Sequence, residues 1–73
     1  MARLLNVFVC DKNGYGLSGH KVHLYGGEPI RTDKEGLVSL LPEGSTCTVY
    51  VDGREVYDGS VSKAPDPIVC KKS

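Results

Sequence analysis

The stretch that decides the fold is GYGLSGHKVHLYGGEPIRTDKEGLVSLL, residues 14–41. Val22 and Leu24 alternate with polar or aromatic neighbours, and Val38 and Leu40 repeat this alternation after a polar turn. An apolar residue at every second position is typical of a strand with one face against a core. The stretch therefore predicts a strand, a loop and a second strand in a small β domain.

Alternation and turn signals continue on both sides of this stretch and predict further strands. Clusters of Gly, Pro, Asn and Asp separate them, because these residues favour tight turns or cannot donate to a β ladder. Asp52-Gly53 is a strong hairpin signal. Folding there pairs Val51 with Arg54, Tyr50 with Glu55, Val49 with Val56 and Thr48 with Tyr57. The predicted strands are 3–10, 21–25, 30–32, 37–41, 46–51, 54–57 and 68–70, with a second tight turn at 58–59 that leads into 60–62.

The predicted fold class is all-β, a small antiparallel β-sandwich of about seven short strands with no substantial helix. Seventy-three residues make a single domain, 1–73, in which we interpret Lys71-Lys72-Ser73 as a solvated tail. A chain of this length buries only about 60% of its unfolded surface, so its core is thin.

Composition and charge argue against several classes of function. Nine basic residues balance nine acidic ones and Trp is absent, which argues against nucleic-acid binding, where a basic face and stacking rings are expected. No apolar segment reaches the length of a membrane span, and no signal peptide is recognisable. The three cysteines leave at least one thiol unpaired within the chain and fit no zinc spacing. Together these features favour a reducing, cytoplasmic setting.

One pattern of apolar and turn residues covers about three quarters of the chain, and its order and spacing are more specific than any single element. It reads Val7-x-Val9-x-Asp11-x-Asn13-Gly14-x-x-Leu17-x-Gly19-x-x-Val22-x-Leu24, then Thr32-Asp33-x-x-Gly36-x-Val38-x-Leu40, then Pro42-x-Gly44. This pattern resembles the carboxypeptidase regulatory-like domains and the related transthyretin-like and collagen-adhesin B-type repeat modules. The resemblance implies a prealbumin-like β-sandwich that serves as an accessory, stalk or binding module, and it implies no single activity.

Two branches that this resemblance suggests can be compared with the chain. The adhesin repeats form an internal amide bond between a buried Lys and an Asn or Asp. Here Lys12 lies in a turn, Lys21 belongs to the outward-facing set, and Asp66 only precedes the last strand. The transthyretin-like hydrolases carry a C-terminal Tyr-Arg-Gly-Ser signature, whereas residues 57–60 read Tyr-Asp-Gly-Ser and lack the cation. Neither branch is favoured.

No constellation of residues predicts catalysis, a cofactor or a metal ion. His20 and His23 are three residues apart, so on one strand their side chains would point to opposite faces. Asp33 and Glu35 lie in a turn, where we expect Asp33 to cap backbone amides. Cys47 is expected to face the core, where a thiol is unreactive. We therefore expect a protein that is not an enzyme.

Several large apolar side chains fall on the outward-facing set of the predicted strands, and such a patch is typical of an interface. We expect the chain to dock a protein partner, or a second copy of itself, through an outer sheet face or an edge strand. The predicted contact residues are Leu4, Phe8, Tyr25, Leu37 and Tyr50. The alternative is a carbohydrate- or small-ligand-binding accessory module that uses Tyr15, Tyr25, Tyr50 and Tyr57 as stacking rings, which requires these tyrosines to group together.

Overall fold

The chain folds into seven strands and one short 3-10 turn in a computed structural model, which describes residues 4–72. The all-β prediction is confirmed. The elements are β1 Leu5–Asp11, β2 Lys21–Leu24, β3 Ile30–Arg31, β4 Leu37–Leu40, β5 Thr46–Val51, β6 Arg54–Ser60, the 3-10 turn Val61–Lys63, and β7 Ile68–Lys72.

The strands form two sheets that pack face to face as a sandwich. The three-stranded sheet has the order β4-β1-β7, and the four-stranded sheet has the order β3-β2-β5-β6. All pairs are antiparallel except β1 and β7, which run parallel along the register Val7 with Ile68 to Asp11 with Lys72. The last strand therefore lies directly beside the first, so the three-stranded sheet is complete only when both ends of the described chain are in place.

The core lies between the sheets and is rich in valine. Inward-facing positions alternate with outward-facing ones along β1, β4 and β5, as the sequence predicts. β-branched side chains suit this arrangement because they pack well against the pleated surface. The buried cluster consists of Leu5, Val7, Val9, Val22, Val38, Leu40, Val49, Val51, Val61, Ala64 and Ile68.

The hairpin at Asp52-Gly53 is confirmed, together with the predicted pairs of Val51 with Arg54 and Tyr50 with Glu55, but the register beyond them differs from the prediction. Both turn residues have positive φ, 52° and 83°, as a two-residue hairpin turn requires. A β-bulge on β6 leaves Val56 without a paired residue on β5, so Val49 pairs with Tyr57. The predicted pairs Val49 with Val56 and Thr48 with Tyr57 are therefore wrong, because one extra residue on β6 shifts every pair that follows it.

Two further predictions are wrong at the ends of β6 and β7. Asp58-Gly59 is not a turn, because β6 continues through it to Ser60 and pairs along its length with β5. Lys71 and Lys72 are not a solvated tail, because they extend β7 and pair with the end of β1. Arg3, the predicted start of the first strand, and Ser73 lie outside the described residues.

Two loops at one end of the sandwich are built in the same way. The carboxylate of Asp11 accepts the backbone amides of Asn13 and Tyr15, at 2.8 and 3.1 Å. The carboxylate of Asp33 accepts the amides of Glu35 and Leu37, at 2.8 and 3.0 Å. These bonds lower the pKa of Asp33, the bond from Leu37 most. The capping role predicted for Asp33 is confirmed, because its carboxylate accepts hydrogen bonds from the backbone amides of its own turn.

Candidate functional site

The predicted contact residues divide between the two outer faces of the sandwich. Phe8 on β1 and Leu37 on β4 belong to the three-stranded sheet, and Leu4 directly precedes β1. Tyr50 lies on β5 of the four-stranded sheet, and Tyr25 directly follows β2 of that sheet. The structure therefore brings Phe8 and Leu37 together and separates them from the two tyrosines.

A row of apolar side chains crosses the outer face of the three-stranded sheet. Phe8 pairs with Leu37 on one side and with Val69 on the other. Leu37 is 38% exposed and Val69 is 51% exposed, while Phe8 between them is half-buried. We call Leu37, Phe8 and Val69 the apolar row. Sequence reasoning missed Val69, because its position beside Phe8 depends on the parallel pairing of β1 with β7.

A polar row runs beside the apolar row on the same face. The hydroxyl of Ser39 donates to Asn6 Oδ1 at 2.7 Å, and Asn6 Nδ2 donates to Asp66 Oδ1 at 2.9 Å. These bonds fix the three side chains across the sheet and leave the apolar row bordered by a fixed set of polar groups. The face thus has an apolar stripe with a polar margin, which is the composition of many protein interfaces.

The outer face of the four-stranded sheet carries aromatic rings in a different arrangement. His23 and Tyr50 pair across β2 and β5, and their rings stack with centroids 5.1 Å apart and an interplanar angle of 18°. Each ring therefore covers one face of the other. Tyr25 directly follows β2 and is 79% exposed. Its backbone amide donates a hydrogen bond to the carbonyl of Thr48 on β5.

The four tyrosines proposed as stacking rings do not form one cluster. Tyr57 packs against the core and its hydroxyl donates to the carbonyl of Ser60 at 2.6 Å. Tyr15 lies in the loop after β1 and is 72% exposed. Tyr25 and Tyr50 belong to the same sheet, since Tyr25 directly follows β2 and Tyr50 lies on the adjacent strand β5.

An ion cluster lies at the end of the sandwich where the β5–β6 hairpin turns. Asp52 Oδ2 is 2.7 Å from both His20 Nδ1 and Lys72 Nζ, and Asp52 Oδ1 accepts the amide of Lys21 at 3.1 Å. Hydrogen bonds from Lys72 and then from His20 hold the pKa of Asp52 well below its usual range. Because Lys72 belongs to the three-stranded sheet and Asp52 to the four-stranded sheet, the cluster links the two sheets.

Histidine in this structure does not point to a metal site. His20 bonds to Asp52, whereas His23 stacks on Tyr50 and its Nδ1 lies 2.9 Å from the carbonyl of Leu24. Among residues 4–72, no group of three or more His, Cys, Asp or Glu side chains could hold a metal ion.

A cleft of about 540 Å³ opens at the opposite end of the sandwich, and we call it the end cleft. The β2–β3 turn, the segment after β4 and the start of β5 form its walls. Cys47 lines it, and burial, followed by the charge of Asp58, raises the pKa of this thiol. Its other lining residues include Leu24, Tyr25, Leu41, Pro42, Glu43, Thr46, Thr48 and Asp58.

Comparisons with protein-family models, with curated proteins and with solved structures give no match for this chain. Within residues 4–72 there is no helix with the length and apolar character needed to cross a membrane.

Proposed function

We propose that this chain is a non-enzymatic interaction module that docks a protein through the outer face of its three-stranded sheet. The observation that carries the proposal is the apolar row, in which Leu37, Phe8 and Val69 stand side by side on three adjacent strands. Single exposed apolar residues are ordinary on a protein surface, but a contiguous row that spans a whole sheet is a feature of interaction sites.

The surroundings of the row support a protein as the occupant. The apolar row extends across three strands, and the polar row beside it offers fixed hydrogen-bonding groups. The polar row and Leu37 also line a cleft of about 480 Å³ on this face. An apolar stripe with a polar margin has the composition of a protein–protein interface. A second copy of the chain is one such partner, because a net charge of zero provides no overall repulsion between copies.

The resemblance to carboxypeptidase regulatory-like domains is part of the same proposal. Its support is the sandwich itself and the two Asp-capped turns, which contain residues of the resembling pattern. An accessory or stalk role agrees with docking through a sheet face. The alternative of carbohydrate binding by stacked tyrosines has less support, since Tyr57 packs inside and Tyr15 lies apart.

Sedimentation velocity at about 10 µM to 1 mM tests the proposal, together with capture of cross-linked partners from a lysate. The informative variants are Val69→Lys and Leu37→Lys, because both positions are exposed and can accept a charge without opening the core. We expect each variant to weaken self-association or partner capture by about tenfold or more, as expected for an interface centre.

Ile30→Lys is the matched control, because Ile30 is 49% exposed on the edge strand β3, against 51% for Val69. It should behave like the wild type. A chain that stays monomeric throughout and captures the same proteins with and without Val69→Lys would refute docking through this face.

A further inference from the structure

The end cleft has the size of a ligand site and lies outside the docking face proposed above. Its volume of about 540 Å³ falls within the range of small-molecule pockets, roughly 300–1,000 Å³. Its walls come from β2, β5 and β6, from the β2–β3 turn and from the segment after β4, so the cleft depends on the assembled sandwich. None of its lining residues belongs to the apolar row.

The charged groups of the end cleft all carry the same sign. Glu43 and Asp58 line it, and none of the lining residues that the structure describes is Lys, Arg or His. The hydroxyl of Thr48 donates to Asp58 Oδ1 at 3.0 Å, which holds that carboxylate in place on the wall. A cleft with two carboxylates and no cation repels anions and attracts cations.

Part of the remaining lining is apolar or aromatic and suits an alkyl chain, beside the polar side chains of Thr46 and Thr48. Leu24, Leu41 and Pro42 contribute aliphatic surface, and Leu41 is 60% exposed. The ring of Tyr25 is 79% exposed at the rim, so one of its faces is free to contact a cation. An inorganic cation would gain nothing from this apolar surface, whereas an amine on a hydrocarbon chain would use both parts of the site.

We propose that the end cleft binds small aliphatic amines, in particular diamines and polyamines. Glu43 and Asp58 pair with the ammonium groups, and Tyr25, Leu24 and Pro42 pack against the hydrocarbon chain. This site does not depend on the apolar row, so each proposal can fail without the other.

The test compares hexane-1,6-diamine with hexane-1,6-diol, which match in length and differ in charge. Each is titrated into the 15N-labelled protein at constant pH and ionic strength, and backbone amide shifts are followed by NMR. We expect saturable shifts with the diamine at residues 24–27 and 46–48, and at least about tenfold weaker binding of the diol. The diamine affinity should fall as salt rises, because exposed charges are screened.

Glu43→Gln and Asp58→Asn identify the residues responsible. Asparagine keeps an acceptor for Thr48, so the wall stays intact while the charge is removed. Each substitution should weaken diamine binding about threefold, the size expected for one exposed ion pair. Tyr25→Ala should weaken it by a similar factor. Glu55→Gln is the matched control, because Glu55 lies on β6 outside the cleft.

Four results would overturn the proposal. The first three are equal affinity for diamine and diol, saturable shifts confined to another region, and no saturable shift up to about 50 mM diamine. The fourth is equal weakening by Glu55→Gln and by the two cleft substitutions. The amide spectrum of each variant shows directly whether it is folded, so a loss of binding cannot be confused with unfolding.

Discussion

Asp52 shows how much a single residue does in a chain of this size. It adopts a positive φ of 52° in the hairpin turn, where Asp and Asn are tolerated better than most side chains. Its carboxylate accepts hydrogen bonds from Lys72 and from the backbone of Lys21, and it also contacts His20. One side chain thus joins the hairpin, the start of β2 and the end of β7.

Asp52→Asn tests this role and predicts a pH dependence. The folded-state pKa of Asp52 lies below its unfolded value of about 4, so the carboxylate stabilises the fold above that pH. This stabilisation is lost as the pH falls through the lowered folded-state pKa. We expect Asp52→Asn to lower the free energy of unfolding by about 1 kcal/mol at pH 7, a value reduced for solvent screening of partly exposed pairs. The difference from the wild type should shrink below about pH 4.

Urea denaturation at pH 7, 5, 3 and 2 provides the measurement, with both proteins compared at every pH so that the contribution of Asp33 cancels. Asparagine also tolerates positive φ, so the substitution changes charge and leaves the turn intact. Lys72→Gln supplies the second arm of a double-mutant cycle, and we expect a positive coupling energy at pH 7. A stability difference that is constant across this pH range would contradict the assignment.

At the scale of elements, the two Asp-capped turns pack so closely that glycine is required at Gly16 and at Gly36, where a Cβ would collide with backbone atoms. Gly36 has a φ of 82°, and a Cβ at this position would collide with the carbonyl oxygen of Val9 on β1. Its own carbonyl accepts the amide of Val9 at 2.8 Å. The turn before β4 is therefore held directly against the central strand of the three-stranded sheet.

Gly36→Ala and Gly44→Ala form a matched pair that separates this collision from simple backbone strain. Gly44 has almost the same φ, 83°, but a Cβ there would meet open space. We expect Gly44→Ala to cost about 1–2 kcal/mol from the left-handed backbone alone. Gly36→Ala should cost at least about 2 kcal/mol more, since backbone atoms of β1 must move. Thermal or urea denaturation measures both losses of unfolding free energy. Equal losses for the two variants would show that the close contact at Gly36 adds no cost beyond the backbone strain.

The sequence predicted those elements whose signal is local. β5 occupies residues 46–51 as predicted, because Val49 and Val51 alternate cleanly and Asp52-Gly53 ends the strand. The bulge at Val56 was not predicted because the sequence of β6 fits either register, and Val56 and Tyr57 both pack against the core. The extension of β7 over Lys71 and Lys72 also escaped, since two lysines look like a tail until β1 pairs with them.

At the scale of the whole molecule, the candidate surfaces depend on strand order, which local patterns do not encode. The sequence places Phe8 and Leu37 on outward positions, but their contact with Val69 requires the order β4-β1-β7. The end cleft likewise gathers Tyr25, Glu43 and Asp58 from three distant segments. Alternation predicts which way a side chain points in its strand, and only tertiary pairing determines its neighbours.

The positions of the three cysteines in the whole molecule predict that all three thiols react slowly with a thiol reagent in the native protein. Cys10 is 1% exposed, and burial raises the pKa of both Cys47 and Cys70. A buried thiol is inaccessible, and a raised pKa leaves little of the reactive thiolate near neutral pH. We expect all three to react with 5,5′-dithiobis(2-nitrobenzoic acid) at pH 7.5 at least about tenfold more slowly in the native protein than in denaturant.

Cys10 should react only through global unfolding, because it lies on the central strand β1 between β4 and β7. Its labelling rate, followed by peptide mass spectrometry, should therefore rise with urea along the same slope as the equilibrium unfolding curve. Ser18→Cys provides an exposed reference thiol in the loop before β2 and should react at the unfolded rate. If Cys10 in native buffer reacted as fast as this reference, the three-stranded sheet would open independently of the rest of the molecule. If it followed the unfolding curve, the two sheets would form one cooperative unit, as expected from a single core shared between them.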